Sequence, residues 1–313
     1  MKINSCPVCD SNDLIAGKYL KGPTQDFWEY DCFKGKNLAT CRKCMFTFTA
    51  EIFEKGALSK FYNTLYSGSD LKSYDAAQNY EYNIRSMSHV NFIKLNLDLK
   101  DGMNILEIGP NENGMVPSFS LFCNPNYFYY EQLEFPVINS YGGQRLGNYF
   151  DKKSAADLSN DQKMDLIVLS HVFEHFEPQH LNRDIEAMRL ALKENGHISI
   201  EVPLQTINID MHPPHTQFFN VKNMSLLFEK HGFEIVSTQN INLDVGFSES
   251  TSSTEPKNSS RPYIELIKKI MSIFLPRKLR LKLLRPFFEK KLKTLYDGRP
   301  YMRVLAKKIP LEN

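Results

Sequence analysis

At 313 residues, 42% hydrophobic and 12% aromatic, the chain has material for one full α/β core and a small additional module. No stretch approaches the ~20 apolar residues that cross a bilayer as a helix. The formal charge of +2 hides an asymmetry: positions 261–313 hold 15 Lys and Arg against 4 Asp and Glu, and positions 1–260 hold 23 against 32.

Met1 to Ser5 lead into the first cysteine without an apolar signal region, so a cytoplasmic location is expected. Cys6-Pro7-Val8-Cys9 and Cys41-Arg42-Lys43-Cys44 are two CxxC knuckles, a spacing that brings two thiolates of one tight turn to the same tetrahedral metal. Four thiolates close a structural zinc site and leave no open position for catalysis. Disulfides and free redox-active thiols are the alternatives, the first disfavoured by the missing signal region. Cys32 is an alternative fourth ligand, and Cys123 reads as core packing. Tyr19-Leu20, 27–30 and 45–48 read as short strands filling the space between the knuckles.

Positions 51–100 carry a helical pattern, with Phe61, Tyr62, Leu65 and Tyr66 on one face and a second helix expected over 82–97. A Tyr stripe at this spacing reads as packing. The run Asn104-Ile105-Leu106-Glu107-Ile108-Gly109-Pro110-Asn111-Glu112-Asn113-Gly114 then reads as a buried strand ending in a Gly turn, where backbone approaches a ligand closely. Asn126–Glu131 is a second β-rich run, and Glu131 falls 22 positions after Gly109, the spacing of a carboxylate that takes ribose hydroxyls.

A continuous apolar strand is predicted at 164–170, followed by His171-Val172-Phe173-Glu174-His175-Phe176 and a helix over 179–193 that Asn195-Gly196 closes. A strand at 197–203, a helix at 221–231 ended by Gly232, and a strand at 233–237 continue the alternation. Repeated strand–helix units predict an α/β fold with a mostly parallel sheet and helices on both faces. Positions 247–260 have linker composition, and 261–293 predict two basic amphipathic helices broken at Pro276 and Pro286. A last strand is expected at 301–308.

These residues resemble the class I S-adenosylmethionine-dependent methyltransferases, in the group whose fourth strand runs into Val172-Phe173-Glu174-His175. In that group the fifth strand ends in Glu201-Val202-Pro203 and is followed by His212-Pro213-Pro214-His215-Thr216-Gln217-Phe218-Phe219. With the Cys-rich amino terminus, the chain is similar to bacterial sugar methyltransferases. The resemblance implies a Rossmann-like seven-stranded sheet with an antiparallel last strand and a small zinc ribbon at 1–50. It further implies a helical cap at 51–100, a cofactor-binding core at 101–247 plus 300–309, and a basic insertion at 248–299.

Carried across by position, Glu107, Gly109, Asn111 and Gly114 belong to the cofactor loop, Glu131 binds the ribose, Asp157 and Leu158 bracket the adenine, and Ser170 and His171 line the pocket. The family's E-x-G-x-G-x-G reads here with Asn111 and Asn113 at its later glycines. His215 and His175 are the candidate general bases, histidine being suited to that work near neutral pH; His171 and His212 are pocket walls. Related ketosugar C-methyltransferases place Glu-His where this chain has Pro214-His215, which leaves O- and C-methylation open.

The implied acceptor is a sugar, nucleotide-activated or part of a surface polysaccharide. An RNA methyltransferase and a catalytically degenerate assembly partner are the alternatives. The basic segment 261–293 reads as a solvated or dimerising helix pair, as a contact to an anionic inner-membrane surface, or as a nucleic-acid contact. The last is disfavoured by the lack of interleaved aromatics.

Overall fold

The computed structural model describes residues 1–19, 32–66, 76–110, 114–131, 143–148, 152–204, 211, 213–243 and 299–310. Asn111, Asn113, His212, the 27–30 segment and the basic segment 261–293 lie outside the described residues.

In chain order the elements are β1 (Leu14–Gly17), β2 (Leu38–Cys41), β3 (Thr47–Thr49), α1 (Ala57–Tyr66), α2 (Ala76–Asn96), β4 (Asn104–Ile108), α3 (Val116–Phe119), β5 (Asn126–Glu131), β6 (Gln144–Asn148) and α4 (Lys152–Ala156). There follow β7 (Met164–Ser170), α5 (Leu181–Ala191), β8 (Leu192–Pro203), β9 (Gln217–Phe218), α6 (Val221–Lys230), β10 (Phe233–Leu243) and β11 (Arg299–Lys308). Single 3-10 turns at Phe173–His175 and Pro178–His180 carry the chain from β7 into α5.

Seven strands form one sheet in the order β10-β11-β8-β7-β4-β5-β6. β4 to β8 pair in parallel, and β11 is antiparallel to both of its neighbours. The period-2 alternation of the strands divides the core. Ile105, Leu166, Val168 and Leu305 pack with Val90 and Ile93 of α2 and Phe119 of α3 on one face. Leu106, Ile108, Ile167, Leu169, Ile198, Ile200 and Val304 pack with Leu181, Ile185 and Met188 of α5 and Leu227 and Phe228 of α6 on the other. The cysteine-bearing segment joins this second face through Cys6, Val8, Phe46 and Phe48, all fully or nearly fully buried.

The second sheet, β1-β2-β3-β9, is antiparallel throughout and is not built by the amino terminus alone. β9 lies in the loop after β8, and its Gln217 and Phe218 pair with Phe48 and Thr47. Beside that pairing the Thr49 amide donates to the Thr216 carbonyl at 2.8 Å. An aromatic ladder continues the junction: Phe48 stacks on Phe46 at 5.5 Å between ring centres, Phe46 contacts Phe219 at 5.1 Å, and Phe219 stacks on Phe173 at 5.0 Å. Each buried ring contributes about 2 kcal/mol of transfer free energy.

Three sequence expectations are corrected. Tyr19 lies outside any strand, and among the described residues the strands between the knuckles are β1 and β2. The expected 179–193 helix is α5, two residues shorter at each end. Asn195-Gly196 does not end that helix. It sits inside β8 as a bulge, with Asn195 at φ +61° and the register against β7 shifting between Met164 and Leu166. The turn signal was real, but edge pairing of Leu192 with Met164 extends the strand through it. A Cβ on Gly196 would come within 2.9 Å of the Lys193 carbonyl oxygen and 3.1 Å of that of Met164. Gly196→Val should therefore cost about 1–3 kcal/mol by overpacking, read as a lower thermal midpoint.

Candidate functional site

The carboxyl ends of β4, β5, β7 and β8 lie side by side, and every described candidate but the cysteines and the Asp157-Leu158 pair sits on this edge or in the loops leaving it. At the end of β4 the chain turns at Gly109, whose φ of +68° suits glycine, and whose amide donates to the Tyr130 carbonyl at 2.9 Å. A Cβ there would meet Val172 Cγ2 at 2.7 Å, so the turns after β4 and β7 abut directly. Gly114, at φ +54°, returns the chain into α3.

Glu107 is 3% exposed; it accepts from the Met115 amide at 2.9 Å and from the Tyr127 hydroxyl. Burial outweighs both hydrogen bonds and pushes its carboxyl up from 4.5 to about 7. At the tip of β5, Glu131 is 1% exposed and ion-paired with Arg145 of β6 at 2.7 Å. Asp157 is exposed and Leu158 half-buried, both in the turn after α4.

The β7 and β8 edges carry most of the polar chemistry. Ser170 Oγ donates to Glu201 Oε1 at 3.1 Å, and His171, at φ +54°, places Nε2 3.1 Å from the same oxygen and Nδ1 3.4 Å from Glu174 Oε1. His175 Nε2 lies 3.8 Å from Glu174 Oε1, and the His175 and His215 rings are 4.9 Å apart, edge to face. The loop carrying His215 is fixed by Thr216, whose amide donates to the Glu174 carbonyl at 2.9 Å and whose hydroxyl donates to the carbonyl of Phe176. Tyr19 from the cysteine module donates to the His215 carbonyl at 3.2 Å. Two loops separated by about forty positions thus bring Glu174, His175 and His215 together, their donor atoms all within 4.8 Å of one another.

Behind this group is a buried ionic hub. Arg303 of β11, fully buried, holds Glu201 at 2.5 Å and donates to Ser88 Oγ at 2.8 Å. Burial alone would raise the Glu201 carboxyl; Arg303 and then His171 overcome it and hold it well below the usual carboxylate range. Arg85 lies 3.9 Å from Glu201 and over the ring of Tyr301, and His89 meets Ser199 at 2.8 Å. Burial is opposed in the same way at Glu174, where the His171 ring 3.4 Å away and the nearby His175 and His215 hold the carboxyl at about 2. Burial lowers His175, with Glu174 opposing it.

Glu174, Glu201, Arg303, Arg85 and Ser88 were not among the candidates read from sequence. The available signal was the polar residue at every second position of β8, His197, Ser199 and Glu201, which ordinarily marks a solvated face; here α2 covers it.

The four Cys side chains form a cluster of their own. Sγ atoms of Cys6 and Cys44, and of Cys9 and Cys41, are 3.5 Å apart, and all four lie within 4.8 Å of one another. Tetrahedral zinc with bonds of about 2.3 Å requires sulfur separations of about 3.8 Å. Cys32 stands outside this cluster, and Cys123 is buried against α3, its thiol donating to the Phe119 carbonyl.

Glu107 yields a sign-specific prediction. An acid whose folded pKa exceeds its unfolded value keeps its proton longer when folded, so it lowers stability progressively as pH rises from about 4.5 to about 7. Glu107→Gln, which still accepts from Tyr127 and Met115, should be about 1–3 kcal/mol more stable than the parent at pH 8 and equal to it near pH 4, as measured by urea unfolding at both pH values.

The methyltransferase-domain family profile matches residues 79–238. No curated protein matches the chain. Among solved structures it is similar to a SAM-dependent methyltransferase from Archaeoglobus fulgidus, at 16% identity and TM-score 0.45 over 75% of this chain and 100% of that one. It is likewise similar to the 1,6-didemethyltoxoflavin-N1-methyltransferase of Burkholderia thailandensis, at 13% identity and TM-score 0.47 over 88% and 97%. The magnesium protoporphyrin IX methyltransferase of Synechocystis matches at 10% identity and TM-score 0.47 over 82% and 100%. With its profile spanning more than half of the 313 residues and its seven-stranded sheet ending antiparallel, the chain belongs to the methyltransferase-domain family and is a Rossmann-like, S-adenosylmethionine-dependent methyltransferase.

Proposed function

We propose that the protein methylates a sugar, presented as a nucleotide-activated sugar or a surface-polysaccharide precursor, at a hydroxyl or an acidic carbon. The observation that carries this reading is the meeting of His175 and His215 beside the buried Glu174, where the loops after β7 and β8 converge. The motifs that resemble sugar methyltransferases fall on these same two loops.

On the donor side, Glu107, Gly109 and Gly114 would form the turn around the amino-acid part, Glu131 would take the ribose hydroxyls, and Ser170 and His171 would line the wall beside them. The residues suit that group: a left-handed glycine turn brings backbone close, and Glu131 is a buried carboxylate with Arg145 beside it. A carboxyl raised to about 7 at Glu107 ionises readily when an ammonium group arrives. Asp157 and Leu158, in the turn after α4, would bracket the adenine, and Asn111 would complete the loop. When bound, S-adenosylmethionine supplies an electrophilic sulfonium methyl, which an oxygen or carbon anion captures as the thioether departs.

The chain's own part is to hold the acceptor and remove its proton. His215 or His175 would take that proton on a ring nitrogen, and Glu174 would stabilise the imidazolium formed. In the C-methyltransferase pattern the acid adjoins the histidine in sequence; here position 214 is proline and the acid comes from the other loop, through space. The four cysteines would hold structural zinc, whose charge the closely spaced thiolates need. The Cys6 thiol without metal is held far above its ordinary range by its contact with Cys44 and by burial.

His215→Ala should reduce methyl transfer to nucleotide sugars at least a hundred-fold while S-adenosylhomocysteine affinity, measured by calorimetric titration, stays within a few-fold. Glu131→Ala should do the reverse, weakening that affinity about ten-fold or more. Turnover unchanged in His215→Ala would remove this residue from the chemistry.

A further inference from the structure

Resting on the placement of the acceptor beside His175 and His215, we propose that these two histidines and Glu174 form a second cation site. It would take one divalent transition-metal ion, and through it two adjacent oxygens of the acceptor, as in a vicinal diol or an α-hydroxy carbonyl.

Four observations converge on the site. One carboxylate oxygen and one ring nitrogen from each histidine lie within 4.8 Å of one another, and the three residues come from two loops already tied together by Thr216. Glu174 is 2% exposed, and neither of its carboxylate oxygens has a hydrogen-bond partner among the described residues. The nearest ring nitrogens, His171 Nδ1 and His175 Nε2, stand at 3.4 and 3.8 Å. A buried carboxylate without donors is costly, and a cation in front of it removes that cost. His175 Nδ1 faces the Pro214 carbonyl at 3.4 Å, the kind of outer contact that orients a metal-binding imidazole, and Nε2 stands on the Glu174 side.

Two imidazoles and one carboxylate select borderline ions such as iron(II), cobalt(II), nickel(II) or zinc over magnesium or calcium. At bond lengths of about 2.1 Å, adjacent octahedral donors sit about 3.0 Å apart, so rotation of the side chains by about an ångström closes the set. Three protein donors leave positions for acceptor oxygens. A metal-held hydroxyl releases its proton to bulk water at lower pH than a free one, so with the ion in place the imidazoles act as ligands and O-methylation beside a second oxygen is favoured.

The test is an anaerobic titration of the full chain with cobalt(II), its cysteine cluster loaded with zinc beforehand. One further equivalent should bind, with d–d absorption of a nitrogen and oxygen site and without thiolate charge-transfer bands. Glu174→Gln and His215→Ala should each weaken that binding at least ten-fold while retaining the cysteine-bound zinc and the parent circular dichroism. Methyl transfer to nucleotide sugars should fall on chelation by dipicolinate and return with cobalt. Absence of the second equivalent, or binding unmoved by both variants, overturns the cation site. If His215→Ala then still abolishes turnover, the general-base reading stands alone. Cobalt bound by the triad with turnover unaffected in His215→Ala would overturn both the acceptor placement and the catalytic use of the ion.

Discussion

The antiparallel pairing of β3 with β9 is the constraint on which the site depends. A two-residue strand has little stability of its own. Here it is held by the Thr49–Thr216 hydrogen bond at 2.8 Å and by the ladder Phe48, Phe46, Phe219 and Phe173. The last ring of that ladder belongs to the same 3-10 turn as Glu174 and His175. The cysteine module is thus not an appendage. It packs against the loop that carries His215, and the position of His215 is set by a strand completed from the other end of the chain.

The donor side rests on different physics. Its strands are buried on both faces and their turns abut through Gly109 and Val172; Leu106, Ile108 and Val172 share a core with Cys6, Val8 and Phe46, but among the described residues no strand of the cysteine module pairs with β4, β5 or β7. The buried hub of Arg303, Glu201, Ser88 and His171 joins the two halves, because Glu201 at the end of β8 is held from β11 on one side and meets Ser170 and His171 on the other. Removing one member of such a pair strands a charge in the interior, at about 3–5 kcal/mol, whereas replacing both with apolar groups is far milder.

Much of this was legible in the sequence, for identifiable reasons. β7 is buried on both faces, so its apolar run is nearly continuous and hard to mistake, and β4 and β8 showed through Ile105, Leu106 and Ile108 and through Ile198, Ile200 and Val202. The two CxxC knuckles marked the cluster because thiol spacing is local. β6 escaped notice because Gln144-Arg145-Leu146-Gly147-Asn148 is a polar edge strand that gains its conformation from pairing with β5. β1 and β2 were missed for a similar reason, being four residues each and defined by their partners. Glu174 lay in plain view within the motif that suggested the family, yet its relation to His215 is a contact across about forty positions, which no local spacing encodes.

The central claim, that the β3–β9 pairing fixes the loop bearing His215 and leaves β4 and β7 alone, is tested most directly by amide hydrogen exchange on the chain loaded with zinc and again after chelation. Exchange in 213–220 and in β3 should accelerate at least ten-fold, while β4, β7 and the Gly109 turn keep their protection. Unchanged protection of 213–220 with the metal gone, or loss of protection through β4 and β7 together, would contradict it.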